Sequence, residues 1–324
     1  MDLETTLAHG TLDRSVPLPR DVPFTYASAL DAGVSRHALR LLLEGRVLRR
    51  PIKGVYVAAE LPDSLSLRAA CLALVVPPDA VVVDRHAGWL LGAEMVLAPG
   101  EHLDLRPLSV FRPSGRGRCS NGLSRGGERN LRPVDICEVN GLRVTTPLRT
   151  AWDLGRVRWT DEAITGLDAM FRLGVFGREE FLAGIRRFRG MRWVRTLRAI
   201  GPLADARAES PPESVLRLRC VELGLTGVEP QVEVWDEGRF IARLDLAERR
   251  RRFAFEYDGA QWHSGPEAQK RDARRRKRAA DAGWLLEVFR AEDVFGRTAD
   301  CERRMQELVR AAEVRTRRTR TRTE

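Results

Sequence analysis

From Arg243 to His263 the chain reads Arg-Leu-Asp-Leu-Ala-Glu-Arg-Arg-Arg-Arg-Phe-Ala-Phe-Glu-Tyr-Asp-Gly-Ala-Gln-Trp-His, and this stretch constrains the fold more than any other. Residues two apart in a strand share a face. Phe253, Phe255 and Tyr257 therefore point one way, and Ala254, Glu256 and Asp258 the other. The aromatic face requires a core to pack into, which leaves the acidic face for another purpose. Asp245 ends the preceding strand-like run. A hairpin with an even loop near Glu248 to Arg251 puts Asp245 and Glu256 on one face, and an odd loop without a bulge separates them. The even case is expected. Acids crowded in this way repel one another unless a cation or a shared proton relieves them. The plainer alternative is a solvated edge strand whose acids balance the arginines at 249 to 252. Asp258-Gly259 is in its own right a turn signal.

The flanking segments supply the other elements. Glu209 to Leu223 reads as a helix with Pro211 and Pro212 in its first turn, and Val215, Leu216, Leu218 and Val221 give it helical apolar spacing. Glu213 lies one turn from Glu209 and can point toward the same acids. Pro266 to Ala282 reads as a basic helix carrying Lys270, Arg271, Arg275 and five further cationic or acidic neighbours, closed by Gly283. Trp284 to Arg290 then reads as a buried strand. The order is helix, strand, strand, helix, strand.

This succession (Glu213, Asp245, Glu256-Tyr-Asp258-Gly, His263, a basic helix, then Gly283-Trp284 and a strand) resembles the PD-(D/E)XK nuclease superfamily. Within it the very-short-patch-repair (Vsr-like) endonucleases are the nearest likeness, over about Glu209 to Glu292. The resemblance implies a restriction-endonuclease-like core acting on double-stranded DNA. It also implies a metal held by Asp245 and Glu256, helped by Glu213, with Asp258 and His263 at the rim of the site. Mg²⁺ is the implied ion, with Mn²⁺ able to substitute. It suits carboxylate and phosphate oxygens and can activate a bound water. One departure stands out: the superfamily usually places Lys two residues after the second acid, and here that residue is Asp258. His263, or less readily Lys270, is the candidate general base, since imidazole titrates near neutrality. A lone His beside Trp262 is otherwise an ordinary packed turn residue. The cysteines at 71, 119, 137, 220 and 301 are too scattered for a zinc-type pair.

A second signal lies at the start of the chain. Thr25 to Gly33 reads as a short helix ended by glycine, and Ser35 as the N-cap of a helix from Arg36 to about Glu44. Leu39, Leu42 and Leu43 give that helix a buried side, while Arg36, His37 and Arg40 gather at its exposed start. Val47 to Val57 reads as two short strands with Lys53-Gly54 at the tip. Helix, glycine turn, helix is a geometry that presents the second helix to base edges. The segment resembles the winged-helix start of AbiEi-family antitoxin-type regulators, in Ser35-Arg36, Gly45-Arg46 and Arg49 through Gly54-Val55-Tyr56. An ordinary helical packing domain is the plain alternative.

The middle of the chain is less distinctive. Leu65 to Val75 reads as a helix, Val81 to Gly92 as a strand edge and helix, and His102 to Val110 and Val134 to Val144 as strands. Arg112 to Arg132, rich in Gly, Ser and Arg, reads as a basic loop. Asp84, Arg85 and His86 read as a capping cluster. The fold class expected is α/β (α+β). Residues 1–60 form a winged helix-turn-helix, 61–157 a small AbiEi-like α/β domain and 158–205 a helical connector. Residues 206–312 form a restriction-endonuclease-like core with a mixed sheet flanked by helices, and 313–324 a disordered basic tail.

The net charge of +10 favours a polyanionic partner. Five of those charges come from the Arg-Thr run at 315 to 322, and the dominance of Arg over Lys is also what a GC-rich genome would encode. No stretch is long enough to span a bilayer, no signal-peptide pattern opens the chain, and the scattered cysteines suit a reducing cytoplasm. Neither a P-loop nor a dinucleotide fingerprint occurs, so no small-molecule cofactor is expected. The function expected is Mg²⁺-dependent hydrolysis of DNA phosphodiester bonds, with Arg36, His37, Arg40, Lys53, Lys270, Arg271 and Arg275 touching nucleic acid. The alternative is an AbiEi-type DNA-binding regulator with a silent nuclease-like domain. A homodimer is one way for a single site to cut both strands.

Overall fold

The structure, a computed structural model, describes residues 3–95, 108–120, 124–259, 266–295 and 299–321. They fall into two units, one within residues 1–94, 100–154 and 175–181, the other within 95–99, 155–174 and 182–324. Both have the same character: helices flanking a mixed β-sheet.

The first unit opens with α1 (Leu3–His9), β1 (Phe24–Thr25), α2 (Tyr26–Asp31) and α3 (Arg36–Glu44), then β2 (Leu48–Ile52) and β3 (Val55–Ala58). Thr25 and Ser28 form a reciprocal capping box on α2, and the Ser35 hydroxyl accepts from the Ala38 amide at the start of α3. Each cap supplies a partner to an amide that the first helical turn leaves open. Gly33, at φ +84°, makes the turn between the two helices. The buried sides of α2 and α3 meet β1 and β3 through Ala29, Ala38, Leu39, Leu42, Phe24 and Tyr56. The strands pair in the order β1-β3-β2, both contacts antiparallel.

Further along come α4 (Leu65–Ala73), β4 (Val81–Val82), α5 (Asp84–Leu90), β5 (Leu108–Pro113), β6 (Cys119–Ser120), β7 (Ser124–Gly126), β8 (Glu128–Arg129), β9 (Ile136–Val139) and β10 (Leu142–Thr145). They make a seven-stranded sheet in the order β6-β7-β5-β4-β10-β9, with β8 also on β5. Two expectations change here. Val134 to Val144 is not one strand but the hairpin β9–β10. Asn140 (φ +49°) and Gly141 (φ +78°) turn the chain, the Asn-Gly pair that a tight hairpin selects. The Gly-rich stretch from Arg112 to Arg132 is not one basic loop, because β6, β7 and β8 lie in it. Gly126 permits this: a Cβ there would sit 1.4 Å from the Val110 carbonyl oxygen. Of the strand expected over His102 to Val110, residues 102–107 lie outside the described residues.

A charged network is buried beneath this sheet. Arg149, 1% exposed, donates to Asp153 (2.8 Å), Asp135 (2.8 Å) and the Asn130 carbonyl (3.0 Å). Arg129 forks onto Asp84 (2.6 and 2.9 Å) and stacks 4.0 Å from the Phe111 ring centroid. Asp84 was expected in a capping cluster, but Val83 is the N-cap of α5 with no side-chain cap bond, and Asp84 serves instead as an ion-pair partner of Arg129.

Four helices follow: α6 (Pro147–Gly155), α7 (Thr160–Arg172), α8 (Arg178–Gly184) and α9 (Val194–Ile200). The second unit then takes α10 (Pro211–Glu222), β11 (Glu229–Asp236), β12 (Arg239–Glu248), β13 (Phe253–Tyr257), α11 (Pro266–Asp281), β14 (Leu285–Phe289), α12 (Ala291–Val294) and α13 (Cys301–Thr321). Its sheet runs β11-β12-β13-β14, antiparallel except for the parallel β13–β14 pair. The helix, strand, strand, helix, strand order expected from sequence is present, with β11 added at one edge. α13 is helical through Thr321, where a disordered tail from residue 313 was expected. Its apolar positions Met305, Val309 and Ala312 continue the helical spacing into the basic run.

The alternation in β13 sorts as the pattern predicts. Phe253 and Phe255 pack with Val215, Leu216, Phe289 and Met305, on the side of α10 and α13. Ala254 packs with Ala279 and Trp284, on the side of α11. Each fully buried Phe contributes about 2–3 kcal/mol of apolar burial. α7 is tied to α10 by Asp168, 0% exposed, which accepts twice from Arg217 (2.9 and 2.7 Å) and once from the Asp205 amide (2.8 Å). Among the described residues no helix is long and apolar enough to cross a membrane.

Candidate functional site

The hairpin between β12 and β13 has the even loop. Leu246 pairs with Phe255, Ala247 with Ala254 and Glu248 with Phe253, leaving four loop residues. One step further along the same register Asp245 stands opposite Glu256. The Asp245 carboxylate accepts from the Tyr257 amide at 2.9 Å, which fixes it against the end of β13. Glu256 is 1% exposed and lies on the side of the sheet covered by α11. The N-terminal turn of α10 brings in Glu213. Ser210 caps that helix, and its hydroxyl donates to Glu213 at 2.7 Å, while the other carboxylate oxygen accepts from the Glu209 amide (3.0 Å) and Gln231 Nε2 (2.9 Å).

Asp245 feels the other two acids. Burial first of all, and then the charges of Glu213 and Glu256, push the Asp245 carboxyl up from 3.8 to about 7. The Tyr257 amide and Arg275 act in the opposite direction and do not prevail. Near neutrality Asp245 therefore exchanges between its charged and neutral forms, unlike an ordinary aspartate.

The cations that answer these acids come from α11. Arg275 donates to both oxygens of Glu256, at 2.7 and 3.2 Å. Arg276 lies 3.4 Å from Glu256 and donates to Asp258 at 2.9 Å. Paired, forked contacts of this kind are among the stronger polar interactions proteins make. They overturn the expectation of a Mg²⁺ or Mn²⁺ site at Asp245 and Glu256. Among the described residues no group of three or more His, Cys, Asp and Glu side chains is placed to hold a metal ion. The reason is visible in the donor set: Glu256 already faces two guanidinium groups, and Glu213 has three hydrogen-bond donors on its two oxygens. The residues present do not fit that ion.

The remaining expected residues distribute as follows. Asp258 is drawn into the cluster through Arg276, and its amide donates to the Phe289 carbonyl at 2.8 Å. His263, the expected general base, lies outside the described residues. Lys270 pairs with Glu267 at 3.0 Å on the exposed side of α11, and Arg271 is exposed there. Arg275, expected to touch nucleic acid, instead grips Glu256. In the first unit Arg36, His37 and Arg40 are exposed at the start of α3, with Arg40 3.1 Å from His37 Nδ1 and 3.7 Å from Glu44. Lys53 sits at the β2–β3 turn beside Gly54, at φ +78°.

Two residues escaped the sequence reading. Gln231 interrupts the β11–β12 ladder at φ +54°, opposite Asp245 by register, and holds Glu213. A left-handed conformation is uncommon for such a residue and needs its surroundings to hold it. Nothing in the local sequence marks it. Ser210 was findable: Ser210-Pro-Pro-Glu213 has the spacing of a capping box, and Ser210 is the N-cap, although Glu213 accepts from the Glu209 amide rather than from that of Ser210.

This acid cluster, on a four-stranded mixed sheet, occurs in a chain that belongs to a family with mycobacterial members. It is 31% identical over 264 residues to two proteins from strains of Mycobacterium tuberculosis, uncharacterized protein MT2308 and uncharacterized protein Rv2248. The matched region covers 81% of this chain and 92% of each relative. No protein-family model matches the chain.

Proposed function

We propose that this protein acts on double-stranded DNA as an endonuclease, with a winged-helix segment that binds the duplex and a restriction-endonuclease-like domain that hydrolyses a phosphodiester bond. The observation that carries the reading is the cluster Glu213, Asp245 and Glu256 at one place on the sheet, beside Arg275 and Arg276. A protein that merely binds phosphate gains nothing from gathering acids there. Asp245 is the residue poised to take a proton from an attacking water, because a base titrating near neutrality is both available and strong enough. Arg275 and Arg276 place positive charge where negative charge would grow on the phosphate. Glu256 orients the two guanidiniums, and burial, aided by the charges of Glu213 and Glu256, keeps Asp245 in its shifted range. Resemblance to the Vsr-like nucleases and to the AbiEi-type winged helix supports the same assignment. The exposed Arg36, His37 and Arg40 on α3, with Lys53 at the adjoining turn, form the duplex-facing group.

Nicking of supercoiled plasmid tests this, in buffers with and without divalent cations, for the wild-type protein and Asp245→Asn. The expected result is nicking that falls by about 100-fold or more in a variant that melts no lower than wild type. Nicking that survives the substitution overturns the assignment. A second reading, an AbiEi-type DNA-binding regulator with a silent nuclease-like domain, is favoured by the two-point hold of Arg275 on Glu256. It predicts tight duplex binding without nicking in any buffer.

A further inference from the structure

The four arginines between β12 and β13 are not alike. Glu248, buried at the end of β12, accepts from the Arg250 and Arg251 amides (2.9 Å each) and from Arg251 Nε (2.8 Å). Arg251 also reaches Glu313 on α13 at 3.1 Å. One arginine is thus folded in and neutralised by two acids. The side chains of Arg249, Arg250 and Arg252 are exposed, and where they donate it is to backbone: Arg249 to the Glu233 carbonyl (3.2 Å), Arg252 to the Ala282 carbonyl (3.3 Å). Such bonds steady a guanidinium without cancelling its charge. Gly283 stands where a Cβ would come 3.3 Å from the Arg252 guanidinium, and so leaves it room.

α13 adds to the same place. Arg315 donates to the carbonyls of Arg251 and Arg252 at 2.8 and 3.0 Å. Burial and the charge of Arg252 both push the Arg315 guanidinium below its usual range, a sign of crowded positive charge. Arg318, one turn on, is exposed. The cluster lies about 13 Å along β13 from Glu256, four residues at strand spacing, so it is separate from the acid site.

We propose that this hairpin and the end of α13 form a contact surface for the phosphate backbone of duplex DNA, apart from the acid cluster. The inference rests on the reading of duplex DNA as the partner. The turn is held by Glu248, so its cations are presented from a fixed frame and lose little freedom when phosphate binds.

The test measures affinity of the full chain for a short duplex by fluorescence anisotropy across a salt series. Arg249→Gln/Arg250→Gln is compared with Arg195→Gln/Arg198→Gln, which removes two exposed charges from α9. Both are surface changes, and melting curves check that both variants fold. The hairpin variant is expected to lose about 2 units of salt slope and bind about 10- to 30-fold more weakly near 0.15 M salt, with the α9 variant close to wild type. Superimposed curves for the two variants overturn the proposal, as does selective loss of binding to phosphatidylserine vesicles with duplex binding intact. If the wild-type protein binds no duplex, the DNA reading falls with it. If it binds but does not nick, only the hydrolytic reading fails and this test stands.

Discussion

At Asp245 a single carboxyl links stability to the proposed chemistry. Its pKa in the folded protein is about 7, against 3.8 for an ordinary aspartate. Between those values the folded chain holds a proton that the unfolded chain has released, so stability falls as pH rises through that window. Asp245→Asn carries no charge at any pH and can still accept from the Tyr257 amide. Denaturant unfolding from pH 4 to 8 is expected to show the variant gaining stability over wild type, on the order of a few kcal/mol at the alkaline end. Equal stability at both ends would mean that Asp245 titrates as an ordinary aspartate. Nicking by the wild-type protein is expected to rise through about pH 7 and then level off, as ionised Asp245 becomes available. Much of this residue's setting was legible in sequence, because period-two alternation and the even loop fixed its partner across the hairpin. The cation was not. Nothing in the run of arginines on α11 distinguishes Arg275 and Arg276, which turn toward the sheet, from Arg271 and Arg274, which face solvent. That choice depends on how the helix docks. Gln231 shows the same limit, since a left-handed residue within a strand leaves no local mark.

Among elements, α3 is the one whose boundaries the sequence specifies best. Ser35 caps it, Gly45 follows it, and its leucines set the buried side. Ser35→Ala removes the acceptor for the Ala38 amide at 3.1 Å and is expected to cost about 1 kcal/mol in equilibrium unfolding. Because the cap also fixes the first turn that carries Arg36 and His37, duplex affinity should fall in the same variant at temperatures where it is fully folded. Unchanged affinity would separate α3 from the DNA contact. The strands β6 to β8 show the opposite case. Two or three residues long, they carry no readable alternation; β7 and β8 exist because β5 offers its edge and Gly126 lets a backbone come close, and β6 pairs in turn with β7. β11 went unread although Pro230, Val232 and Val234 alternate with Glu229, Gln231 and Glu233 as in a half-buried strand. α13 extended past its expected end because apolar spacing through Ala312 anchors the helix that the Arg-Thr run continues.

For the whole molecule, the chain does not divide into consecutive blocks. Residues 155–174 belong with 182–324, while 175–181 belong with the first unit. The helical segment expected to serve as a connector therefore helps to build the second unit, since α7 supplies the buried Asp168 that holds Arg217. A fragment of residues 206–324 leaves Arg217, largely buried, without that carboxylate, and an uncompensated buried charge costs about 3–5 kcal/mol. Such a fragment is expected to melt well below one that begins at residue 155, by circular dichroism. Similar melting would show that the second unit stands without α7. The basic helix α11 has a further consequence. Among its described side chains Ala279 is the buried apolar one, so the helix is held to the sheet mainly through Arg275 and Arg276. An element anchored by charge rather than by apolar area opens locally before the sheet does, and more readily as salt rises. In hydrogen exchange, amides of α11 should lose protection ahead of those in β13, with the gap widening in concentrated salt. The acids would then meet solvent in brief excursions of one helix while the surrounding fold stays closed.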